Sequence, residues 1–372
     1  MYSGRCPFLA LKAAETKALP AAEWEAALRP APDAPGEAVV HAIKGIAHGR
    51  FVNKRKRNTL TDRLLRIGTR GSLLALKQSG NIKAALESLW PGIRVELSVM
   101  KTTGDKILDV PLSKVGGKGL FVKEIEDALL AREVDLAVHS MKDVPAALPE
   151  GLMIGLIPLR EDPRDVLITR HGSTISDLPE GAEVGTSSLR RAAQLRKLRP
   201  DLRISNLRGN LDTRLRKLQE GLYDAIVLAA AGLLRMGWED AISSYLDPEE
   251  FLPAIGQGAL GIEVRIDDSE VLDLLAPLHH PETAVAVEAE RAFLEKLEGG
   301  CQVPIGGYAR VVGGQVELTG LVASPDGTEI FRKSGTAPIH EARSLGWRLA
   351  QEMLDAGAKR ILDEVYCNSP GV

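Results

Sequence analysis

The chain has 372 residues, more than one ordinary hydrophobic core supports, and this length predicts two or three domains. Hydrophobic residues make up 44% and charged residues 26%, a balance typical of soluble globular proteins, and the net charge of −3 gives no overall reason to expect a nucleic-acid partner. The scattered cysteines Cys6, Cys301 and Cys367 favour neither a disulfide framework nor a metal site, and no apolar run is long enough to cross a membrane.

Residues 1–62 predict a poorly ordered N-terminal extension. They are rich in alanine and proline, show no sustained amphipathic period and end near the basic run KRKR. They lack the apolar core of a secretory signal and contain too many acidic residues for a typical organelle transit peptide, so we expect a cytoplasmic protein. We interpret the basic run as a solvated linker, with a nucleic-acid or nuclear-import patch as the alternative.

The first regular elements are predicted directly after this extension. Residues 64–67 predict a strand, residues 68–71 a tight glycine-containing loop, and Ser72 the N-cap of a helix. A capped helix N-terminus after such a loop favours an anion site, to which Arg70 can add a bidentate clamp. A second strand over residues 95–100 completes a βαβ unit, which predicts a parallel sheet.

The next segment, residues 102–119, is rich in lysine and glycine. It lacks the glycine spacing and the Ser or Thr of a phosphate-binding P-loop, so we exclude an ATPase. We interpret the segment as a mobile basic flap over a site, with a plain flexible loop as the alternative. A helix over residues 121–131 follows.

Residues 134–149, VDLAVHSMKDVPAALP, contain the leading catalytic candidate. An apolar, β-prone run predicts a strand that opens into a polar loop before Pro145. Because open α/β sheets bind ligands beyond the carboxyl ends of their strands, Lys142 and Asp143 lie where chemistry usually occurs, and Asp143 is the candidate acid. The alternative is that Asp143 pairs with Lys142 or begins a turn.

The densest positive charge lies in a second pattern of strands and helices. Residues 185–216 contain eight arginines and only two acidic residues. The strand-to-helix turns GTSS, before Arg190 and Arg191, and LRGN, with Arg208, repeat the arrangement seen at Arg70. These three turns favour a cleft dense in guanidinium groups, and we expect the arginines to bind carboxylates or phosphates of a ligand and not to support the fold. The alternative is a solvated helix face.

The remaining segments predict a return to the first unit and a separate third unit. After a buried strand over residues 223–230, the glycine-containing segment 252–265 can lead the chain back and make the first domain discontinuous. The third unit is predicted as a helix over 281–297, a loop over 298–307, strands over 316–323 and 329–333, and a closing amphipathic helix. Cys301 lies in this loop between glycines and a proline, so it is presented for attachment or reaction.

The motifs HSMKDVP, VGTSSLRR, LRGN and LEGGCQVPIG, in this order and spacing, resemble the porphobilinogen deaminase (hydroxymethylbilane synthase) family. The resemblance runs from about residue 64 to residue 366. It implies an α/β fold with two periplasmic-binding-protein-like domains around a cleft plus a smaller α/β third domain. We divide the chain accordingly into the extension 1–62, domain 1 (63–160 with 259–277), domain 2 (161–258) and domain 3 (278–372).

The resemblance also implies the activity. This family of transferases joins four porphobilinogens head to tail with loss of ammonia, in tetrapyrrole biosynthesis, on a dipyrromethane cofactor held through a thioether to a loop cysteine, which matches Cys301. Each porphobilinogen brings two carboxylates, which suits repeated arginines. Matched to the family motif, Asp143 takes the role of the acid that stabilises the cation formed when ammonia leaves and that moves protons.

Further residues are carried over by their match to the family motifs. Asp105 and the loop containing Lys114 and Lys118 gate the cleft. The residues that hold cofactor and substrate are Arg70, Ser72, Lys142, Ser188, Arg190, Arg191, Arg208, Arg214, Arg235 and Gln257. We expect a monomer that binds neither nucleic acid nor membrane and contains no metal.

Two other classes of function remain open from the residues alone. A solute-binding module of the same two-lobed shape would bind an anion without catalysis, but the missing secretory signal and the presented cysteine argue against it. A nucleic-acid binder would explain the arginine run, but only 4% of the residues are aromatic and there is no overall basic excess.

Overall fold

The computed structural model describes residues 63–102, 122–145, 147–298 and 303–367. Within them the chain forms thirteen strands: β1 Leu64–Arg70, β2 Arg94–Met100, β3 Leu136–Ser140, β4 Leu152–Leu156, β5 Asp165–Thr169, β6 Glu183–Gly185, β7 Arg203–Ser205, β8 Ala225–Ala229, β9 Ser244–Tyr245, β10 Leu260–Arg265, β11 Ile305–Val312, β12 Gln315–Ala323 and β13 Ile330–Pro338.

The same residues form nine α-helices: α1 Leu73–Leu89, α2 Lys123–Leu130, α3 Leu189–Leu198, α4 Leu211–Gln219, α5 Ala230–Met236, α6 Ser269–Leu275, α7 Pro281–Lys296, α8 Ala342–Met353 and α9 Lys359–Cys367. None of the helices in this part of the chain has the length and apolar character that a membrane span requires.

The strands form three sheets, which confirms the predicted α/β class. The first has the order β2-β1-β3-β10-β4, the second β7-β6-β8-β5-β9, and the third is the antiparallel sheet β11-β12-β13. β1 pairs in parallel with β2 and β3, as the βαβ pattern predicts. β10 pairs antiparallel with β3 and β4, so residues 260–265 belong to the first sheet. This strand order supports the division into domains 63–160 with 259–277, 161–258 and 278–372, whose boundaries stay a prediction.

Local sequence explains where the helices near the site begin. Ser72 is the N-cap of α1 and accepts a hydrogen bond from the backbone N–H of Ala75 at 3.3 Å, and Ser188 caps α3 by accepting from the N–H of Arg191 at 3.4 Å. Ile82 and Leu86, four residues apart on α1, are buried against the first sheet. Both strand-to-helix turns therefore form as predicted.

The third sheet differs from its prediction at both ends. β11 begins at Ile305, inside the segment that was predicted to be a loop, and β13 extends to Pro338. Two consecutive glycines argue against a strand in isolation, but here they permit close packing: a Cβ atom on Gly306 would lie 3.1 Å from the carbonyl oxygen of Pro253. The strand is favoured by tertiary contact that the local pattern does not contain.

Candidate active site

Asp143 lies at the end of a single 3-10 turn, Met141–Asp143, that directly follows β3. The turn is held by a backbone hydrogen bond and by side-chain packing. The N–H of Met141 donates to the carbonyl oxygen of Ala259 at 3.0 Å, and the buried side chains of Met141 and Val144 pack with Val287 of α7. Asp143 itself is exposed. A short rigid turn thus presents a carboxylate at the carboxyl end of a central strand.

The helix α7 also supports the far side of this turn. Arg291 donates from Nη1 to the carbonyl oxygen of Val144 at 3.2 Å and from Nη2 to that of Pro145 at 2.7 Å. Two hydrogen bonds from one guanidinium to consecutive carbonyls hold the backbone after Asp143 in one path. The third sheet's helix therefore contributes to the geometry of the turn in the first domain.

Lys142 and Arg214 lie within electrostatic reach of Asp143. Burial lowers the pKa of Lys142, and the neighbouring charge of Asp143 raises it. The pKa of Arg214 is lowered to about 10, mainly by burial and also by the positive charges of Arg191 and Arg208, while Asp143 raises it. The candidate acid, which follows a strand of the first sheet, therefore lies near arginines on helices of the second sheet.

We call the residues Arg190, Arg191, Arg208 and Arg214 the arginine cluster. Arg190 and Arg191 are both buried, and both contact the carboxylate of Asp165. Nη1 of Arg190 lies 2.7 Å from Oδ2, and Nη2 of Arg191 lies 2.7 Å from Oδ1. The expectation that these two arginines do not support the fold is wrong, because both pair with the same buried carboxylate of the chain itself.

Asp165 was not among the residues predicted from the sequence. Charge alone does not distinguish it from the other acidic residues nearby, because its partners Arg190 and Arg191 lie 25 and 26 residues further along the chain. One signal was present: Asp165 immediately precedes an apolar run, so it occupies the first position of a buried strand. A carboxylate in that position needs paired cations.

Gln257 reaches the same carboxylate from the segment that joins the second sheet to the first. Its Nε2 donates to Asp165 Oδ1 at 2.9 Å and to the carbonyl oxygen of Pro163 at 2.7 Å. Gly256 and Gly258 on either side have φ of +68° and +86°. A side chain on Gly258 would collide with the carbonyl oxygen of Glu161, so glycine is required for the backbone to pass.

The other predicted binding residues lie at strand ends and helix starts around this site. Arg70 is the last residue of β1, Ser72 caps α1, and Ser188 caps α3. Arg208 lies two residues before Asn210, the N-cap of α4. Each position is the carboxyl end of a strand or the turn after it, as the pattern of strand-to-helix turns predicts.

Arg235 lies in the last turn of α5 and donates from Nη2 to the carbonyl oxygen of Gly258 at 2.6 Å. The first helix of the first domain approaches the same region: a Cβ atom on Gly232 of α5 would lie 3.6 Å from side-chain carbons of both Leu74 and Leu211. The N-termini of α1, α4 and α5 therefore meet, which brings Ser72 near the arginine-bearing elements of the second sheet.

Four predicted site residues lie outside the described part of the chain: Asp105, Lys114, Lys118 and Cys301. The extension 1–62 lies outside it as well. The helix α7 ends at Lys296, five residues before Cys301, and β11 begins at Ile305.

The donor set fits a polycarboxylated pyrrole such as dipyrromethane. The site offers the guanidinium groups of the arginine cluster and the ammonium of Lys142, which bind carboxylates. The buried Oε1 of Gln257 has no hydrogen-bond partner among the described residues, so an acceptor for an N–H donor is also present. Carboxylates and pyrrole N–H groups are the polar features of that cofactor.

The fold and site first define a class: an α/β protein with two five-stranded sheets, a third small sheet and a cationic site at the strand ends. Family comparison then identifies it. Residues 65–273 match the model described as porphobilinogen deaminase, dipyromethane cofactor binding domain, and residues 284–355 match porphobilinogen deaminase, C-terminal domain. The chain belongs to the porphobilinogen deaminase family, which confirms the resemblance seen in its motifs.

Individual relatives agree. The porphobilinogen deaminase of Syntrophobacter fumaroxidans is 71% identical over 307 residues, which cover 82% of this chain and 99% of that protein. The porphobilinogen deaminase of Geobacter metallireducens is 57% identical over 302 residues, covering 81% and 95%. Membership of the family implies a transferase with a dipyrromethane cofactor that makes hydroxymethylbilane from porphobilinogen, as predicted.

The solved structures to which the chain is similar match it only weakly. The BvgS VFT2 domain of Bordetella pertussis is 15% identical, with a TM-score of 0.37 over 60% of this chain and 90% of that chain. The aliphatic sulphonate binding protein SsuA of Escherichia coli is 17% identical, with a TM-score of 0.34 over 63% and 70%. Similarity at this level says nothing about function.

Proposed function

We propose that this chain joins four porphobilinogen molecules head to tail to form hydroxymethylbilane, with Asp143 as the catalytic acid and base. The observation that supports it is the position of the exposed Asp143 carboxylate beside Lys142 and Arg214. Each condensation forms one carbon–carbon bond between pyrrole units and releases one ammonia. Water supplies the terminal hydroxyl group when the four-unit product leaves.

The chain's own residues divide the work. The arginine cluster, Lys142 and Arg235 bind carboxylates, and charge-assisted hydrogen bonds of about 1.5–3 kcal/mol each make several of them sufficient to hold a growing anionic chain. Asp143, as an anion, stabilises the positive charge that develops on the pyrrole when ammonia leaves, and it accepts the proton lost as aromaticity returns.

The dipyrromethane cofactor, when bound, supplies a covalently held starting chain with a free pyrrole carbon. We propose that Cys301 is its attachment point, that Ser72, Ser188, Arg70 and Gln257 help to hold it, and that Asp105, Lys114 and Lys118 gate access. The sequence Gly-Gly-Cys, outside any apolar run, supports the assignment of Cys301.

The finer statements about partners and location are proposals of the same kind. We propose a cytoplasmic monomer without a nucleic-acid partner. The three scattered cysteines support a reducing compartment, and the net charge of −3 argues against nucleic-acid binding. Light scattering of the purified protein tests the oligomeric state, and a dimer mass would contradict it.

Single-turnover ammonia release by the primed Asp143→Asn protein tests the catalytic assignment. We expect a rate about 10²–10⁴-fold below wild type, because asparagine neither carries the charge nor transfers the proton. Asp240→Asn is the matched control, since Asp240 is also an exposed aspartate in a 3-10 turn, Glu239–Ala241. A rate for Asp143→Asn within about tenfold of this control would assign Asp143 to positioning instead.

A further inference from the structure

Asp165 contacts three of the side chains that are proposed to bind ligand. Its Oδ2 accepts a hydrogen bond from Nη1 of Arg190, and its Oδ1 accepts from Nη2 of Arg191 at 2.7 Å and from Nε2 of Gln257 at 2.9 Å. Asp165 is 0% exposed, at the first position of β5. A carboxylate so enclosed cannot itself meet a ligand, but it can orient the groups that do.

The charges around Asp165 leave a surplus for an anion. Burial raises the pKa of Asp165, but the charges of Arg190 and Arg191 outweigh this effect and hold the pKa at about 2, so the carboxylate is ionised at neutral pH. Two guanidinium groups share this single negative charge. Among Asp165, Arg190 and Arg191, one positive charge therefore remains uncompensated. It lies close to Lys142 and Arg214.

The two arginines use their donors differently. All three guanidinium nitrogens of Arg191 donate to the protein: Nε and Nη2 donate to Asp165, and Nη1 donates to the carbonyl oxygen of Val227 at 2.9 Å. The hydrogen bonds of Arg190 within the described residues all start from Nη1, which donates to Asp165 and to the carbonyl oxygen of Leu252. Nε and Nη2 of Arg190 are left for a carboxylate of the ligand.

Asp165 also sets which way the amide of Gln257 points. Because Nε2 donates to the Asp165 carboxylate and to Pro163, the acceptor Oε1 is directed elsewhere, and there it is buried without a donor among the described residues. A buried acceptor without a donor carries a cost in free energy. That cost is offset when a ligand N–H group binds.

We propose that Asp165 is a positioning residue for the polymerisation: it holds Arg190 and Gln257 so that a ligand carboxylate and a ligand N–H group can bind to them at once. The proposal rests on the proposed function of the site. It adds a residue that touches neither substrate nor cofactor and that acts only through Arg190, Arg191 and Gln257.

The variant Asp165→Asn tests the proposal, because asparagine keeps the size but loses the charge and brings its own N–H₂ towards the arginines. The full-length protein is purified from cells, and three quantities are measured: the fraction carrying the cofactor by intact mass, KM and kcat of the cofactor-bearing fraction, and the melting temperature. We expect a reduced cofactor-bearing fraction and a KM about 10–100-fold higher, with kcat changed by less than about tenfold, as expected when charge-assisted hydrogen bonds are lost.

Asp224→Asn is the matched control, since Asp224 directly precedes β8 of the same sheet. Asp224 accepts a hydrogen bond from the backbone N–H of Glu183 at 2.8 Å and is half-buried. We expect Asp224→Asn to lower the melting temperature while cofactor content and KM stay within about twofold of wild type, since backbone support alone is lost. If Asp165→Asn behaves like Asp224→Asn, Asp165 is purely structural and the proposal is overturned.

A second variant covers the case in which Asp165→Asn does not fold. Asp165→Glu keeps the charge but moves the carboxylate by one methylene group, so Arg190 and Gln257 must shift with it. We expect a folded protein with reduced cofactor content and raised KM, and wild-type values in this variant would overturn the proposal. A wild-type protein that lacks both the cofactor mass and turnover would instead refute the proposed function.

Discussion

A Cβ atom on Gly256 would lie 3.2 Å from the backbone nitrogen of Lys142, so the segment that joins the two large sheets lies directly against the turn that carries Asp143. The same atom would lie 2.9 Å from Cβ of Met141. Gly256 also has φ of +68°, which residues with side chains rarely adopt.

Gly256→Ala should therefore displace the Asp143 turn. We expect about 1–3 kcal/mol of lost stability and at least tenfold lower turnover, because small displacements of catalytic groups are costly. Gly237→Ala separates the two effects: Gly237 has φ of +71°, but a Cβ atom added to it would meet nothing within 4 Å among the described residues. Equal turnover in the two variants, measured at saturating porphobilinogen, would show that the contact with Lys142 is unimportant.

Arg190→Lys should unfold at a lower temperature than wild type, contrary to the expectation from sequence alone. Lysine retains the charge but cannot reach both Asp165 and the carbonyl oxygen of Leu252 with the same geometry. We expect a loss of about 1–3 kcal/mol by chemical denaturation. Arg216→Lys, at an exposed pair with Glu220, should change stability by less than about 0.5 kcal/mol. A similar stability for both variants would refute the structural role.

Glu126 should make stability depend on pH. Its pKa is raised from 4.5 to about 7, mainly by burial and also by the charge of Glu263, while His139 lowers it. Between these two values the unfolded chain loses the proton first, so stability falls as pH rises from about 4.5 to about 7 and is constant beyond. Glu126→Gln should remove this fall in the free energy of unfolding. At pH 8 the variant should be more stable than wild type by on the order of 1–2 kcal/mol, after allowance for solvent screening.

The control for this pH dependence is Glu133→Gln, an exposed glutamate that follows the same helix. Denaturant titrations at pH 4, 6 and 8 should show parallel curves for Glu133→Gln and wild type. If Glu126→Gln also stays parallel to wild type, the raised pKa does not occur in solution. His139 and Glu263, which lie 2.8 Å apart and are both buried, belong to the same group of charges and are left unchanged in every variant.

Intact-mass measurement should find two pyrrole units on Cys301. The wild-type protein should carry the added mass, Cys301→Ala should lack it and be inactive, and Cys6→Ala and Cys367→Ala should keep both mass and activity. The reason is that only Cys301 follows two glycines in the sequence, between the end of α7 and the start of β11. Full activity at the unmodified mass would exclude a covalent cofactor.

Removal of residues 1–59 should leave folding and turnover unchanged. None of the motifs shared with the family falls in this segment, and the family model begins at residue 65. The melting temperature and kcat of the shortened protein provide the measurement. Insoluble or inactive protein would mean that the extension packs on a domain.

Sequence predicts much of the fold because the strands near the site are short apolar runs punctuated by caps and glycines. β3, β8 and the capped helices α1 and α3 follow from local pattern alone. β11 could not be predicted, because its glycines are favoured only by packing against Pro253 and its neighbours. Local sequence contains no information about a contact with so distant a part of the chain.

The site shows the same limit. The arginine run and the acid at position 143 stand out in the sequence, because these charged residues directly follow predicted strands. Asp165 does not, because a single aspartate becomes notable only when Arg190, Arg191 and Gln257 converge on it in three dimensions. Which donors of Arg190 and Arg191 bind the protein, and which are left for a ligand, likewise cannot be predicted before the hydrogen bonds are known.

The position of β10 between β3 and β4 has a consequence for the order of folding during synthesis. All five strands of the second sheet, from β5 to β9, leave the ribosome before β10 does. The second sheet can therefore close while the first still has the unpaired edges of β3 and β4, which wait for residues 260–265. Exposed strand edges are sites of aggregation. A nascent chain halted before residue 260 should consequently be the form that most needs protection by chaperones.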